Sequence, residues 1–258
     1  MTDRANDVVI VTGAAAGIGF GIARSFLDAG AKVGICDFRD HAVAGAVDRL
    51  GASDRLDGGV IDIRDEAQID GYVAHIEETF GPPTVVVANA GIYPNTPVVD
   101  MEVEEWDRVM ETNARGVFLT CRAAARSMIA AGTNGNIITI SSGAYLSGRV
   151  GAAHYCASKA AVVMLAKVLA LELAPHRIRA NCIAPGLVQV EGDVSPISEE
   201  YKTTLTNSIP LGRIGQPEDI ANAAMFLSSP EADFITGEVL SVNGGSSAGR
   251  AFLPPSNP

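Results

Sequence analysis

Largely apolar runs of strand length recur along the chain at residues 8–11, 33–35, 60–63, 85–88, 137–140, 178–183 and 239–242. Between most of them lie longer stretches whose apolar residues repeat at helical spacing, clearest at 17–29, 67–80, 104–130 and 153–174. Strands alternating with helices predict a parallel sheet. Most of the strand runs are near-continuous Val and Ile rather than alternating, as a sheet requires when helices cover both of its faces. The expected fold class is α/β: a doubly wound domain with a seven-stranded, mainly parallel sheet and helices on both sides.

Length and composition narrow this picture. The chain has 258 residues, one domain or two at roughly 150 residues each, and no linker, repeat or composition break divides it. A single domain over residues 1–258 is expected. With 47% hydrophobic and 19% charged residues it can bury a sizeable core. Thirty acidic against 19 basic residues give a net charge of −11, and no basic cluster offsets it, so nucleic acid is an unsuitable partner. The longest uncharged stretch, residues 127–148, holds Thr133, Asn134, Asn136, Thr139, Ser141 and Ser142, which disfavour a membrane span. Asp3 and Asp7 precede the apolar residues 8–23 and glycines interrupt them, arguing against a signal peptide and for a cytoplasmic chain. Cys36, Cys121, Cys156 and Cys182 lack ligand spacing and the four histidines are scattered, so neither disulfides nor a metal site is expected. The polar segment 191–207, interrupted by Pro196, is a candidate substrate lid.

After the first strand run comes Thr12-Gly13-Ala14-Ala15-Ala16-Gly17-Ile18-Gly19, opening into a helix. Gly13 allows a sharp turn, Gly17 and Gly19 open the helix, and its free N–H groups suit a pyrophosphate in a Rossmann-like arrangement. The spacing is not GxGxxG, and tight strand-to-helix packing alone also accounts for such a turn. Asp37 closes the second strand 18 residues beyond Gly19, near the offset at which a carboxylate meets the adenosine ribose. That points to NAD, although Arg39 stands close enough to soften the preference against a 2′-phosphate. A solvated carboxylate at a strand end is the simpler alternative.

Tyr155 and Lys159 stand four apart on a predicted helix, so they share a face. An ammonium beside a phenol favours phenolate and brings it toward acid/base work. Such a pair is common on helices and means little by itself. Ser141 and Ser142 follow the run 137–140, and Asn89 follows the run 85–88, so all three sit at the carboxyl edge where open α/β sheets bind ligands.

Taken together, these residues resemble the short-chain dehydrogenase/reductase family over nearly the whole chain. The family's glycine motif matches Thr12 to Gly19, its adenine-side acid matches Asp62 before Ile63, and its Asn-Ala-Gly motif matches Asn89-Ala90-Gly91. Its catalytic tetrad falls on Asn113, Ser142, Tyr155 and Lys159. Pro185-Gly186 matches the motif beside the nicotinamide, Val188 would offer backbone groups to the carboxamide, and Asn243-Gly244-Gly245 matches the closing segment. The resemblance implies hydride transfer between nicotinamide and a carbinol or carbonyl carbon, with Tyr155 exchanging the hydroxyl proton. Ser142 would orient the substrate oxygen, Lys159 would hold the nicotinamide ribose, and Asn113 would support a water-linked proton path. Val190 stands where many relatives have Thr, and Asn243 replaces a more usual Asp.

The expected substrate is a small molecule, a secondary alcohol, ketone, sugar or polyol. Candidate contacts are Tyr93, Pro94, Ser142, Ala144, Tyr145, His154 and residues 190–201. Two alternatives stay open. Pro210-Leu211-Gly212-Arg213 and Ile235-Thr236-Gly237-Glu238 resemble bacterial 3-oxoacyl-carrier-protein reductases, but Asp37 runs against their NADPH and no basic patch follows Ala130-Ala131-Gly132-Thr133. A catalytically silent cofactor-binding sensor or scaffold is the other. Residues 104–130 and 153–174 are apolar on more than one face, and the family resemblance implies a homotetramer.

Overall fold

The computed structural model describes residues 3–190, 203–204 and 206–249. Its sheet strands are β1 (Val8–Thr12), β2 (Lys32–Asp37), β3 (Leu56–Val60), β4 (Val85–Ala88), β5 (Asn136–Ile140), β6 (Arg179–Pro185) and β7 (Val239–Val242). They lie in the order β3-β2-β1-β4-β5-β6-β7, every pair parallel. Its α-helices include α1 (Gly17–Asp28), α2 (Asp40–Leu50), α3 (Glu66–Phe80), α4 (Val103–Met110), α5 (Val117–Ala131), α6 (Ala153–Leu173) and α7 (Pro217–Leu227).

All five residues of β1 are buried, and their side chains divide by the period-two rule. Val8 and Ile10 join a core with Tyr72 and Ile76 of α3, Cys121 and Met128 of α5 and Val162 of α6. Val9 and Val11 enter the opposite core with Ile22 and Phe26 of α1 and Ile220 of α7. Two apolar layers around one sheet explain why the strand runs are continuous. The chain order turns back between β1 and β4, which opens a crevice at the carboxyl edge.

Two expectations need correction, and one helix was not expected. The third strand is Leu56–Val60, not 60–63. A Cβ on Gly58 would lie 2.7 Å from Val47, and one on Gly59 would lie 2.5 Å from Tyr72. Close helix packing therefore demands small residues in this edge strand, which hides it from a hydropathy reading. Residues 104–130 are not one regular helix: a six-residue π turn, Glu111–Gly116, separates α4 from α5. The short helix α2, which buries Val43 and Ala46, was too weakly apolar to stand out. Of the expected lid at 191–207, residues 191–202 and 205 lie outside the described residues. Among the described residues, no helix is long and apolar enough to cross a membrane.

Candidate active site

The loop between β1 and α1 is shaped by contacts that only glycine permits. Gly13 has φ +63°, and a Cβ there would lie 2.6 Å from the Ala90 Cα. Gly17 has φ +57°, and a Cβ on Gly19 would sit 2.5 Å from the Gly13 carbonyl oxygen. The residue preceding α1 is Ala16, which supplies no side-chain cap, and the first turn carries no acid. Its leading N–H groups therefore receive no capping side chain. Ile18, half-buried, packs against the same core as Val188.

Thr12 and Asn89 serve this loop from beneath. The Thr12 hydroxyl accepts from the backbone N–H groups of Asn89 and Ala90 at 3.1 and 3.2 Å. The Asn89 side-chain amide donates to the Thr12 and Gly13 carbonyls at 2.9 and 3.0 Å. Both residues are spent on fixing the backbone.

At the far end of the crevice, two carboxylates are each held by the arginine two residues later. Arg39 donates Nε–H and its backbone N–H to Asp37 Oδ1, and Nη2 to Oδ2, at 3.0 to 3.2 Å. The Asp37 side chain is only 5% exposed, whereas that of Arg39 is 44% exposed and has room to turn. Arg64 grips Asp62 in the same manner, with Nη2 at 2.6 Å from Oδ2, and holds that carboxyl below its usual range. Ile63 is buried against Ile69 and Leu119, directly under Ala90.

Across the sheet, Ser142 follows β5 and its Oγ accepts from the Ala144 N–H at 3.2 Å. Tyr155 lies in the first turn of α6 and Lys159 one turn on. Lys159 Nζ is 5.6 Å from the Tyr155 ring centroid and donates to the Ile140 carbonyl at 2.9 Å. Burial lowers the Lys159 ammonium to a pKa of about 8. For Tyr155, burial raises the phenol above its ordinary value, while a hydrogen bond with Ser142 and the Arg149 charge act in the opposite sense. The expected drop in the Tyr155 pKa is therefore not found in the protein alone: burial outweighs the neighbouring charge. The sequence reading also missed Arg149, whose Cζ stands 5.9 Å from the Tyr155 ring centroid. A lone arginine in a loop carries no pattern, and only the fold brings it to the phenol.

Asn113 sits on the π turn, fully buried. Its Oδ1 accepts from the Ile92 N–H and its Nδ2 donates to the Ile92 carbonyl, both at 2.8 Å, and Nδ2 also reaches Ser158 Oγ at 3.3 Å. A Cβ on Gly91 would lie 3.2 Å from Asn113 Oδ1 and 3.4 Å from Lys159 Nζ, so Gly91 brings these two groups together. After β6, the Gly186 N–H bonds to the Val242 carbonyl at 3.0 Å, and a Cβ on Gly186 would strike Asn243 at 2.7 Å. Gly215 bonds to Leu187 and Gln189 on either side of Val188. In such a parallel bridge Val188's own N–H and C=O point away from Gly215.

Of the expected substrate contacts, Tyr93 is 52% exposed and meets the Tyr155 ring edge-on at 6.4 Å. Leu146 and Val150, on the loop ahead of α6, are 58% and 91% exposed. Ala144 is half-buried beside Ser142, but Tyr145 packs against the core. His154 does not face the crevice: it is completely buried, and both ring nitrogens are engaged by protein groups.

Known proteins match this arrangement along almost the full chain. The family described as enoyl-(acyl carrier protein) reductase matches residues 13–247. A 3-oxoacyl-(acyl-carrier-protein) reductase of Chlamydia muridarum is 38% identical over 242 residues, 93% of this chain and 97% of that protein. A 3alpha-hydroxysteroid dehydrogenase of Mediterraneibacter gnavus is also 38% identical over 242 residues, covering 93% and 96%. The crystal structure of a short-chain type dehydrogenase/reductase from Mycobacterium marinum superposes with a TM-score of 0.90 at 35% identity, covering 96% of this chain and 98% of that one. With the seven-stranded parallel sheet, these matches establish that the chain belongs to the short-chain dehydrogenase/reductase family of oxidoreductases, enzymes that act on CH–OH and carbonyl groups with a nicotinamide cofactor.

Proposed function

We propose that this enzyme moves a hydride between NAD and a secondary alcohol or ketone carbon, with Tyr155 as the general acid/base. The observation that carries the reading is Tyr155 held between Ser142, its hydrogen-bond partner, and Lys159, whose Nζ is 5.6 Å from its ring centroid, beside a glycine loop whose helix N-terminus carries no side-chain cap. When bound, the nicotinamide supplies the hydride donor or acceptor. The chain's own residues handle position and protons. Ser142 holds the substrate oxygen toward the Tyr155 hydroxyl. Burial keeps that phenol protonated at neutral pH, so it serves carbonyl reduction as the acid that delivers a proton to the forming alkoxide. In the oxidative direction Tyr155 must first lose its proton, and the Ser142 hydrogen bond and Arg149 ease that loss. Lys159 would hold the ribose hydroxyls, while Asn113 fixes Ile92 and Ser158 around it.

Asp37 supports NAD, since a nearly buried carboxylate suits ribose hydroxyls and repels a 2′-phosphate. The exposed Tyr93 ring beside Tyr155 favours an apolar cyclic or alkyl substrate over a polyol, and the engagement of His154 removes one candidate polyol contact. Two facts favour a second reading, 3-oxoacyl reduction with NADPH: the 38% identity to such a reductase, and an Arg39 exposed enough to turn toward a phosphate. Exposed Phe118, Met164, Val168 and Leu171 on α5 and α6 support assembly with further copies of the chain, the homotetramer being the form proposed.

Nicotinamide absorbance, followed with NADH and NADPH against 3-ketosteroids, cyclic ketones, aldoses and acetoacetyl thioesters, tests the proposal. Turnover of apolar ketones with NADH supports it. Turnover confined to acetoacetyl thioesters with NADPH replaces it with the second reading.

A further inference from the structure

The amide of the residue that carries the phenol has an unusual partner. Residues in the first turn of an α-helix have no carbonyl four positions back to receive their N–H groups. In α6 the residue ahead of the helix is Ala152, which offers no side chain to take them up. The Tyr155 N–H donates instead to Nδ1 of His154, its immediate neighbour, at 2.8 Å. That bond requires Nδ1 to be unprotonated, so the ring proton resides on Nε2. The Nε2–H in turn meets Glu105 Oε1 of α4 at 2.9 Å. The ring is 0% exposed, so no water substitutes for either partner.

The chain of contacts continues on both sides. Glu105 also accepts from Thr96, and these two hydrogen bonds hold its carboxyl below the usual range. Thr96 is anchored in turn, its N–H donating to the Gly151 carbonyl at 2.7 Å, just ahead of α6. On the other side of the phenol-bearing residue, Ser158 Oγ donates to the Tyr155 carbonyl at 2.8 Å. Three segments thus meet at the Tyr155 backbone: the loop after β4 that carries Tyr93, the first turn of α4, and the start of α6.

We infer that His154, oriented by Glu105, is a positioning residue that sets where the Tyr155 hydroxyl stands relative to Ser142 and the substrate oxygen. His154 touches neither substrate nor cofactor and acts only through the backbone of its neighbour. The inference rests on Tyr155 being the acid/base group.

The two ring nitrogens can be tested separately, because Asn places an oxygen where Nδ1 stands and Gln places its terminal amide near Nε2. His154→Ala should lower kcat roughly 10- to 100-fold, as expected when a reacting group is displaced by a fraction of an ångström to an ångström. NADH affinity, read from protein-to-cofactor fluorescence transfer, should be unchanged. His154→Asn should restore most of kcat without restoring the melting temperature, whereas His154→Gln should leave kcat low. Equal losses in Ala and Asn, or losses that follow melting temperature through the series, overturn the inference. A Tyr155→Phe control separates the two failures. If it keeps full rate, the acid/base assignment itself is wrong; if it abolishes turnover while His154→Ala does not, only the positioning role fails. A readout needing neither substrate nor a destabilised variant is the nitrogen-15 spectrum of the histidines in the full chain, with His154→Asn identifying the signal. A pyridine-type Nδ1 and a protonated Nε2 are expected, and the reverse tautomer overturns the inference.

Discussion

The pairing of Asp37 with Arg39 makes a quantitative prediction about cofactor choice. A 2′-phosphate about 4 Å from an unpaired carboxylate is repelled by about 1 kcal/mol at the dielectric of water and about 4 kcal/mol at that of a protein surface. In this protein the carboxylate is not unpaired, because the Arg39 guanidinium spans both of its oxygens at 3.0 and 3.1 Å. The pair presents little net charge, and the guanidinium, 44% exposed, is free to turn toward a phosphate. Wild-type protein should therefore favour NADH over NADPH by no more than roughly tenfold. Arg39→Ala exposes the full carboxylate charge, and solvent at the rim keeps the penalty in the lower part of that range, about 1 to 2 kcal/mol. The ratio of NADPH to NADH dissociation constants should rise roughly 5- to 30-fold, while NADH binding changes less than threefold. Fluorescence titration with each nucleotide at 20 mM and at roughly 300 mM salt measures this, and the effect should shrink at high salt. An unchanged ratio, or tighter NADPH binding in the variant, would refute the reasoning.

Three other outcomes follow from the same geometry. Lys159→Met should abolish turnover yet stabilise the cofactor-free protein by about 1 to 2 kcal/mol, roughly 2 to 6 °C in melting temperature, because it removes a buried ammonium. The sign is set by a folded pKa of about 8 against an ordinary value of 10.5: between them the unfolded chain binds the extra proton, so wild-type stability rises with pH across this window and the variant loses that rise. Arg149→Met should move the limb of alcohol oxidation that reports Tyr155 ionisation to the alkaline side at low salt, since the guanidinium counteracts the burial that raises the phenol. Gly13→Ala should weaken nucleotide binding at least tenfold in equilibrium dialysis, because φ of +63° and a 2.6 Å approach to the Ala90 Cα leave no room for a methyl group.

Legibility in the sequence followed burial. Central strands such as β1 and β4, covered on both faces, appear as near-unbroken Val and Ile runs, and the doubly wound sheet could be read from them. The edge strand β3 could not, since Gly58 and Gly59 are small to admit Val47 and Tyr72 rather than apolar to fill space. Asn113, Ser142, Tyr155 and Lys159 stood out through their resemblance to the family's catalytic residues. What those motifs could not convey was which groups surround them. The π turn under Asn113 looks like ordinary helix in sequence, because it contains no proline and its single glycine is at its end. His154 next to Tyr155 resembled a substrate contact until its burial and its bond to Glu105, 49 residues earlier, were seen. Arg149 acts through a partner that folding supplies, and no spacing rule identifies it.

The most direct test of the central claim is single-turnover hydride transfer by wild type and Tyr155→Phe, each saturated with NADH, using the best ketone substrate from the panel. Removing the phenolic oxygen should leave NADH affinity within about threefold and reduce the transfer rate by roughly a hundredfold to ten-thousandfold, the usual contribution of a general acid. A variant that transfers hydride at the wild-type rate would contradict the account, because the group placed against Ser142, Arg149 and Lys159 would not then be the one that moves the proton.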